Sequence, residues 1–301
     1  MSNEIFARVG PMIRRTFLIS LVGLLLSGCA PTLTPMQQEL MSTPLPTYEG
    51  PLSPIQVPVR LVYAPVTMRL AGQFGWHTSL RDKDEIYSGE LDGLLRVSPA
   101  RDSLLWEFSL EKAVLGGEKV PSGSSPLMEF SALRDPLGST KESGIRMVGM
   151  KADSPADKRS AEEIKAIVKS QFRSLSAELP AQPIQGGTLL LESDMRSVLQ
   201  TFERLWGSPK CSPPKEKIGY AVRGVGFLKG RKVIVAVLEE DFICVSGNEK
   251  RYNLALHGYA LLDAQTGQIL ENKTMTTIKS FYSFDSIELQ LLQKVSGEIV
   301  K

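Results

Sequence analysis

Lys217-Ile-Gly-Tyr-Ala-Val-Arg-Gly-Val-Gly-Phe-Leu228 is followed by Lys232-Val-Ile-Val-Ala-Val-Leu-Glu-Glu-Asp-Phe-Ile-Cys-Val245, Arg251-Tyr-Asn-Leu-Ala-Leu-His-Gly-Tyr-Ala-Leu-Leu-Asp263 and Gln268-Ile-Leu-Glu-Asn-Lys-Thr-Met-Thr-Thr-Ile-Lys279. These runs are rich in β-branched and aromatic residues, which suit a pleated, half-buried surface. Their links are Lys229-Gly-Arg231, a short stretch containing Ser246-Gly-Asn248, and Asp263-Ala-Gln-Thr-Gly267. A parallel crossover needs a dozen residues or more, so links of this length join antiparallel neighbours. The stretch reads as a four-stranded meander.

Working outward, Val57–Leu70, Ile86–Val97 and Ser103–Leu115 read as further strands, with loops over 116–126 and 135–144. The period then changes. Ala161, Ile164, Val168, Phe172, Leu175 and Leu179 recur at helical spacing and stop at Pro180, and Ser160-Ala-Glu-Glu163 has the form of a capping box. A second helix is expected from Ser193 or Asp194 to Trp206, with Gly207 as its stop. A third is expected over about 285–300, with Ile287, Leu291, Val295 and Ile299 on one stripe. The expected class is α+β: a mostly antiparallel, twisted sheet with about three helices on one face. The domain spans about 56–301. Two β-then-α halves, about 56–180 and 187–301, are conceivable, although no residue-level repeat relates them.

Of the 301 residues, 42% are hydrophobic and 23% charged, which is the composition of a folded chain and excludes a collagen or a low-complexity polymer. Residues 1–28 hold three Arg and one Glu, so the remainder carries 32 basic and 32 acidic side chains. A neutral mature chain lacks the one-sided basic field of a nucleic-acid binder.

Catalytic signals are sparse. His77 and His257 are the only histidines, and neither has a partner at zinc-ligand spacing. His257 shares a strand face with Asn253, Ala255 and Tyr259, the polar face by alternation. Gly72-Gln-Phe-Gly-Trp76, leading into His77, is either a mobile lip for a partner or a strand end with its large side chain tucked inward. Trp76, His77 and His257 are therefore weak binding-site candidates. Gly224-Val-Gly226 imitates a dinucleotide fingerprint but lies in a hairpin, where glycines mark a bulge or a close backbone approach. Gly123-Ser124 lacks the nucleophile elbow of serine hydrolases. Glu239-Glu240-Asp241 reads as a solvated charge run. No metal, cofactor or catalytic constellation is expected.

The amino terminus is the most specific part of the chain. Arg8, Arg14 and Arg15 precede the apolar run Phe17–Leu26, the layout of a secretory signal peptide and too short to span a bilayer. Leu26-Ser27-Gly28-Cys29-Ala30 follows. This segment resembles the lipobox of bacterial lipoproteins, which implies cleavage after Gly28 and lipidation of Cys29. In that family, Ala rather than Asp at position 30 implies sorting to the outer membrane, with the domain on its periplasmic face. Arg14-Arg15-Thr-Phe-Leu18 also looks like a twin-arginine motif, so the export route stays open between that and general secretion. Seven prolines between Ala30 and Pro58 remove donors and fix φ. Residues 29–55 accordingly read as a semi-rigid tether that cannot pair into a sheet.

An exported chain meets an oxidising compartment, where Cys211 and Cys244, the two cysteines besides Cys29, are candidates for a disulfide. In outline the expected sheet and helices resemble periplasmic lipoprotein carriers and their outer-membrane receptor, which enclose acyl chains. That resemblance is architectural and rests on no shared motif. The expected function is non-enzymatic: a lipid-anchored envelope protein binding a hydrophobic ligand or an envelope protein partner, with a secreted carboxylate hydrolase as the alternative. Metabolic labelling with radioactive palmitate is expected to mark the protein, and the intact precursor is not expected to accumulate in the cytosol.

Overall fold

The computed structural model of the chain describes residues 46–80, 83–120, 126–147, 162, 165, 178–194, 210–245, 251–280 and 287–300. Fourteen strands are found among them: β1 (Glu49–Ser53), β2 (Val66–Leu80), β3 (Lys83–Ala100), β4 (Ser103–Leu115), β5 (Glu118–Lys119), β6 (Met128–Arg134), β7 (Thr140–Met147), β8 (Leu189–Asp194), β9 (Lys210–Ser212), β10 (Lys217–Leu228), β11 (Arg231–Val245), β12 (Arg251–Asp263), β13 (Ile269–Ser280) and β14 (Ile287–Ile299). All belong to one sheet. Its main order is β1-β10-β11-β12-β13-β14-β2-β3-β4-β6-β7, with β5, β8 and β9 paired onto β4, β10 and β11.

The α+β expectation is corrected by this architecture, which is nearly all antiparallel sheet. The decisive segment is the carboxyl-terminal one, expected as a helix and found as β14. Its Ile287, Leu291, Val295 and Ile299 are four apart, and four is a multiple of two, so one strand face holds them as readily as one helix stripe. Leu289 completes the alternation, and Gly297 costs a helix interior about 1 kcal/mol relative to Ala. The first expected helix falls outside the described residues apart from Glu162 and Lys165, which are helical, and Glu178 and Leu179, which are not. The second falls outside them except for Ser193 and Asp194, which end β8.

Two meanders make up the sheet. The carboxyl-terminal one runs β10 to β14, and its β10–β11 connection is a two-residue loop with φ of 49° at Lys229 and 73° at Gly230, the requirement of a type I′ turn. The amino-terminal one runs β2, β3, β4, β6, β7. They join where β14 pairs with β2, in thirteen consecutive residue pairs from Ile287↔Leu80 to Ile299↔Met68.

Residues 57–65, expected as the start of a strand, form a strap with no ladder of its own. Pro58 and Pro65 lack the N–H a ladder needs. The strap's backbone is tied at Val59 to Ile184 in both directions, from Tyr63 N to Pro136 O at 2.7 Å and from Ala64 N to Thr266 O at 2.9 Å. Glu49–Ser53, inside the proline-rich stretch expected to stay unpaired, pairs with β10 at the sheet edge. The irregular register there accommodates Pro51, and an edge strand is where a proline is tolerated.

The sheet curls. Tyr220 on β10 faces the same side as Asn272 and Thr274 on β13, with β11 and β12 between them. Its hydroxyl donates to Asn272 Oδ1 at 3.0 Å and also touches Thr274 Oγ1. Three inter-strand steps of about 4.8 Å in a flat sheet exceed what a tyrosine side chain spans. The sheet is therefore concave on this side, and Gly258, in register with Thr274, leaves the β12 position between them free of a side chain. Large side chains cover further glycines: a Cβ on Gly89 would fall 2.2 Å from the Phe74 ring, one on Gly93 2.6 Å from Phe108, and one on Gly297 2.4 Å from the Met68 methyl.

The concave face holds the main core, in which Trp106 is fully buried, edge-on to Tyr63 at 4.9 Å, with the Arg134 guanidinium 5.4 Å from its ring centre. Arg134 Nη1 also donates to Gly138 O at 2.8 Å. Cys211 and Cys244 are cross-strand neighbours of β9 and β11 and form a disulfide. The bridge closes a separation of 33 residues, for which the chain-entropy model gives about 3–4 kcal/mol. Intact mass under non-reducing conditions is expected to be two daltons below the free-thiol value, and the double variant Cys211→Ser/Cys244→Ser to unfold at lower denaturant by that order of free energy.

Candidate functional site

The concave face is a trough with two apolar walls. Phe242, Leu254 and Leu256 lie in the β10–β12 wall, and Leu91, Leu95 and Phe108 in the β2–β4 wall, all buried. Each sits at an alternate position of its strand, so period-two patterning puts all of them on one face.

The floor between the walls differs in chemistry. On β13 it carries Asn272, Thr274 and Thr276, and on β14 Leu289, Leu291 and Gln293. Asn272 is buried, the threonines and leucines are half-buried, and Gln293 is exposed. Gln293 pairs across the strands with Thr274 on one side and with buried Phe74 on the other. Solvent thus reaches the floor between two groups of buried apolar side chains, with the Glu240–Lys215 ion pair on the same face as Leu256 and Phe242. Next to it on β2 and β3, half-buried Trp76 stacks on Tyr87 with ring centres 4.2 Å apart.

One end of the trough is closed. Leu61 and Tyr63 of the strap, with Leu179 and Ile184, are buried in the same hydrophobic cluster as both walls. Burial pushes the Tyr63 hydroxyl above the usual tyrosine range, against a smaller opposing pull from Arg134, whose own pKa burial lowers. Tyr220 is likewise pushed up, to about 12, by burial, with its bonds to Thr274 and Asn272 opposing.

The candidates named from sequence are not brought together. Trp76 faces the trough. His77, its neighbour in the strand, faces the opposite side, where it is buried with Nδ1 3.4 Å from Gln290 Oε1. His257 lies on that outer side too, with Asn253 and Ala255, in a different part of the sheet. Its Nε2 is 3.8 Å from Asp241 Oδ1, a long, half-exposed contact rather than a hydrogen bond. The run 239–241 is taken up by cations: Glu239 by Arg223 at 2.9 Å and Glu240 by Lys215 at 2.5 Å, with Asp241 beside His257. Gly224 lies at a bulge, where a Cβ would meet Ser53 O at 2.6 Å, and Gly226 is covered by Tyr48 and Leu52. Among the described residues no group of three or more His, Cys, Asp or Glu converges on a metal position. Leu26, Ser27, Gly28 and Cys29 lie outside the described residues.

Sequence reasoning passed over Tyr220, Tyr87 and the β13–β14 floor. A signal for the floor was present, since Ile287, Leu289, Leu291, Val295 and Ile299 alternate with Glu288, Gln290, Lys294 and Glu298.

No protein-family model matches the chain, and no curated protein matches it. Among solved structures it is similar to a lipovitellin described for its lipid–protein interactions, at 12% identity and a TM-score of 0.39. That match covers 78% of this chain and 25% of the lipovitellin chain, so this protein spans about a quarter of its length. It is also similar to a putative outer membrane lipoprotein-sorting protein domain from Vibrio parahaemolyticus, at 9% identity, a TM-score of 0.16, and coverage of 74% of this chain and 83% of that one. A DUF1329 family protein from Desulfovibrio piger matches at 4% identity and a TM-score of 0.16, with the same two coverages. Likenesses at these TM-scores do not define a family.

The buried tyrosines give the site an alkaline signature. Below pH 10 both folded and unfolded chains hold the Tyr220 proton. Between pH 10 and about 12 the unfolded chain releases it and the folded one retains it, so stability falls as pH rises through this window. The expected loss from Tyr220 is about 2 kcal/mol. Denaturant titrations at successive pH values check it, and Tyr220→Phe is expected to be less stable at neutral pH, by about 1 kcal/mol for the lost hydrogen bond, and to show a shallower alkaline decline.

Proposed function

We propose that this protein is an envelope lipoprotein, anchored through Cys29, whose trough holds the hydrocarbon of an amphiphilic lipid. The observation that carries the reading is the solvent-reached floor of β13 and β14 between two buried apolar walls. Hydrocarbon laid on the half-buried Leu289, Leu291 and Trp76 between these walls leaves water, at about 25 cal/mol per Å² of apolar surface removed. The Thr276 hydroxyl and the Gln293 amide supply hydrogen-bonding groups for the ester or amide of a lipid, as in ligand sites where a few polar groups fix orientation within apolar surroundings. Cleavage after Gly28 and acylation of Cys29 would keep the trough at a membrane surface, where such molecules are found. More than one acyl chain on Cys29 makes that attachment lasting, because one chain alone holds reversibly.

The test is native mass spectrometry and lipid extraction on protein purified from membranes. A lipid of defined mass is expected to accompany the wild type, and Thr276→Trp, which fills the floor, to lose it while keeping its thermal transition. A wild-type protein free of lipid and bound to a stable protein partner overturns the lipid reading.

A further inference from the structure

We infer that the end of the sheet carrying the β10–β11 turn is a docking rim that rests on an anionic bilayer surface, beside the protein's own anchor. The inference goes beyond the trough, and rests on the reading that Cys29 attaches the chain to a membrane.

Register places several features at one end of the sheet. Leu228↔Arg231 closes the β10–β11 turn, Val233↔Asp263 and Leu262↔Ile269 bring in the β12–β13 turn, and Ile299↔Met68 brings in the end of β14. Three large apolar side chains are exposed there. Phe227, just before the first turn, is 50% exposed, Val300, which follows β14, 44%, and Val62, beside Gly267 in the second turn, 39%. Ile243, 55% exposed, stands at the opposite end of β11.

Beside Phe227 the rim sets the two lysines Lys229 and Lys232 against the one carboxylate of Glu49, while exposed Glu298, near the end of β14, stands opposite Arg69. Lys229 and Lys232 are exposed next to Phe227. Arg231 is held by the buried Asp263 carboxylate at 2.8 Å, and Glu49 accepts the Lys229 backbone N–H at 2.8 Å. Arg101 and Asp102, at the β3–β4 turn, offset one another. An aromatic ring flanked by lysines suits the bilayer interface, the ring entering the headgroup layer while the ammonium groups meet lipid phosphates.

The chain itself arrives at this rim. Glu49 pairs with Phe227, and Tyr48 and Leu52 pack against Gly226. Nineteen residues lie between Cys29 and Glu49. A bilayer-anchored Cys29 therefore holds this rim at high local concentration near the lipid surface, so a contact too weak to recruit a free protein suffices to orient a tethered one. The opposite end, with Ile243 near the end of β11, then points away from the bilayer.

The experiment uses the mature chain, residues 29–301. With Cys211 and Cys244 bridged, Cys29 is the one thiol free to couple to a maleimide-bearing lipid in vesicles of phosphatidylethanolamine and phosphatidylglycerol. Chemical coupling makes the result independent of whether a cell acylates Cys29, so failure of the rim and failure of the anchor reading remain distinguishable. Amide hydrogen exchange of peptides spanning Phe227–Lys232 is expected to slow severalfold on these vesicles relative to the soluble chain. The protection is expected to weaken in high salt, to vanish in Phe227→Ser/Lys229→Glu/Lys232→Glu, and to persist in Ile243→Ser. Thermal unfolding of each variant verifies that these surface changes leave the fold intact. No protection at the rim, equal protection of peptides covering 246–250, or protection that survives the triple substitution overturns the inference.

Discussion

The pairing of β14 with both β13 and β2 holds the rest of the structure together. Without it there are two separate meanders, each with an additional exposed edge of unpaired N–H and C=O groups. With it, one sheet runs from β1 to β7. Thirteen consecutive pairs to β2 and nine to β13 fix its register, and a slip by one residue would turn Leu289, Leu291 and Val295 to the outer face. Because β14 is also half of the trough floor, the strand that unites the fold is the strand that shapes the site.

Curvature follows from where bulk is absent. Gly258 lets Tyr220 reach across two strands, and Gly89, Gly93 and Gly297 accept the side chains of Phe74, Phe108 and Met68 over their backbones. A glycine in a strand interior has no side chain of its own to pack, and a large neighbour folded over it restores the lost contact while letting the sheet bend. On the concave side the Tyr220 hydroxyl is bonded to Asn272 and Thr274, and Arg134 Nη1 donates to Gly138 O with the guanidinium over the Trp106 face. For the Tyr220 hydroxyl and Arg134 Nη1 these bonds avoid the roughly 1–3 kcal/mol that a buried unbonded polar atom costs.

Much of the sheet was legible because strand chemistry is local. The bounds of β4, β10 and β12 coincide with runs readable from β-branched residues and turn signals, and the type I′ turn at Lys229-Gly230 is written in the hairpin itself. Reading β14 failed because residues four apart satisfy both periods, and only its two hydrogen-bonded neighbours, one of them more than two hundred residues away, select the extended form. The candidate site was less legible. Trp76 and His77 are adjacent in sequence, yet strand alternation sends them to opposite faces, and nothing in the Gly72–Trp76 segment says which face is concave.

The sequence by itself carries Arg8, Arg14 and Arg15 ahead of the apolar run Phe17–Leu26 and then Leu26-Ser27-Gly28-Cys29-Ala30, balances its charges over residues 29–301, and determined the carboxyl-terminal antiparallel meander. Each is a property of neighbouring residues: their charge, their size, or their alternation over a few positions. Only the tertiary structure decided that the last segment is a strand, that the two meanders form one curled sheet, and that a polar floor lies between apolar walls. Those outcomes depend on pairings such as Ile299 with Met68 and on contacts such as Tyr220 with Asn272. Partners so far apart in the chain leave no periodic trace at either end, since the geometry that brings them together exists only once the intervening strands have paired.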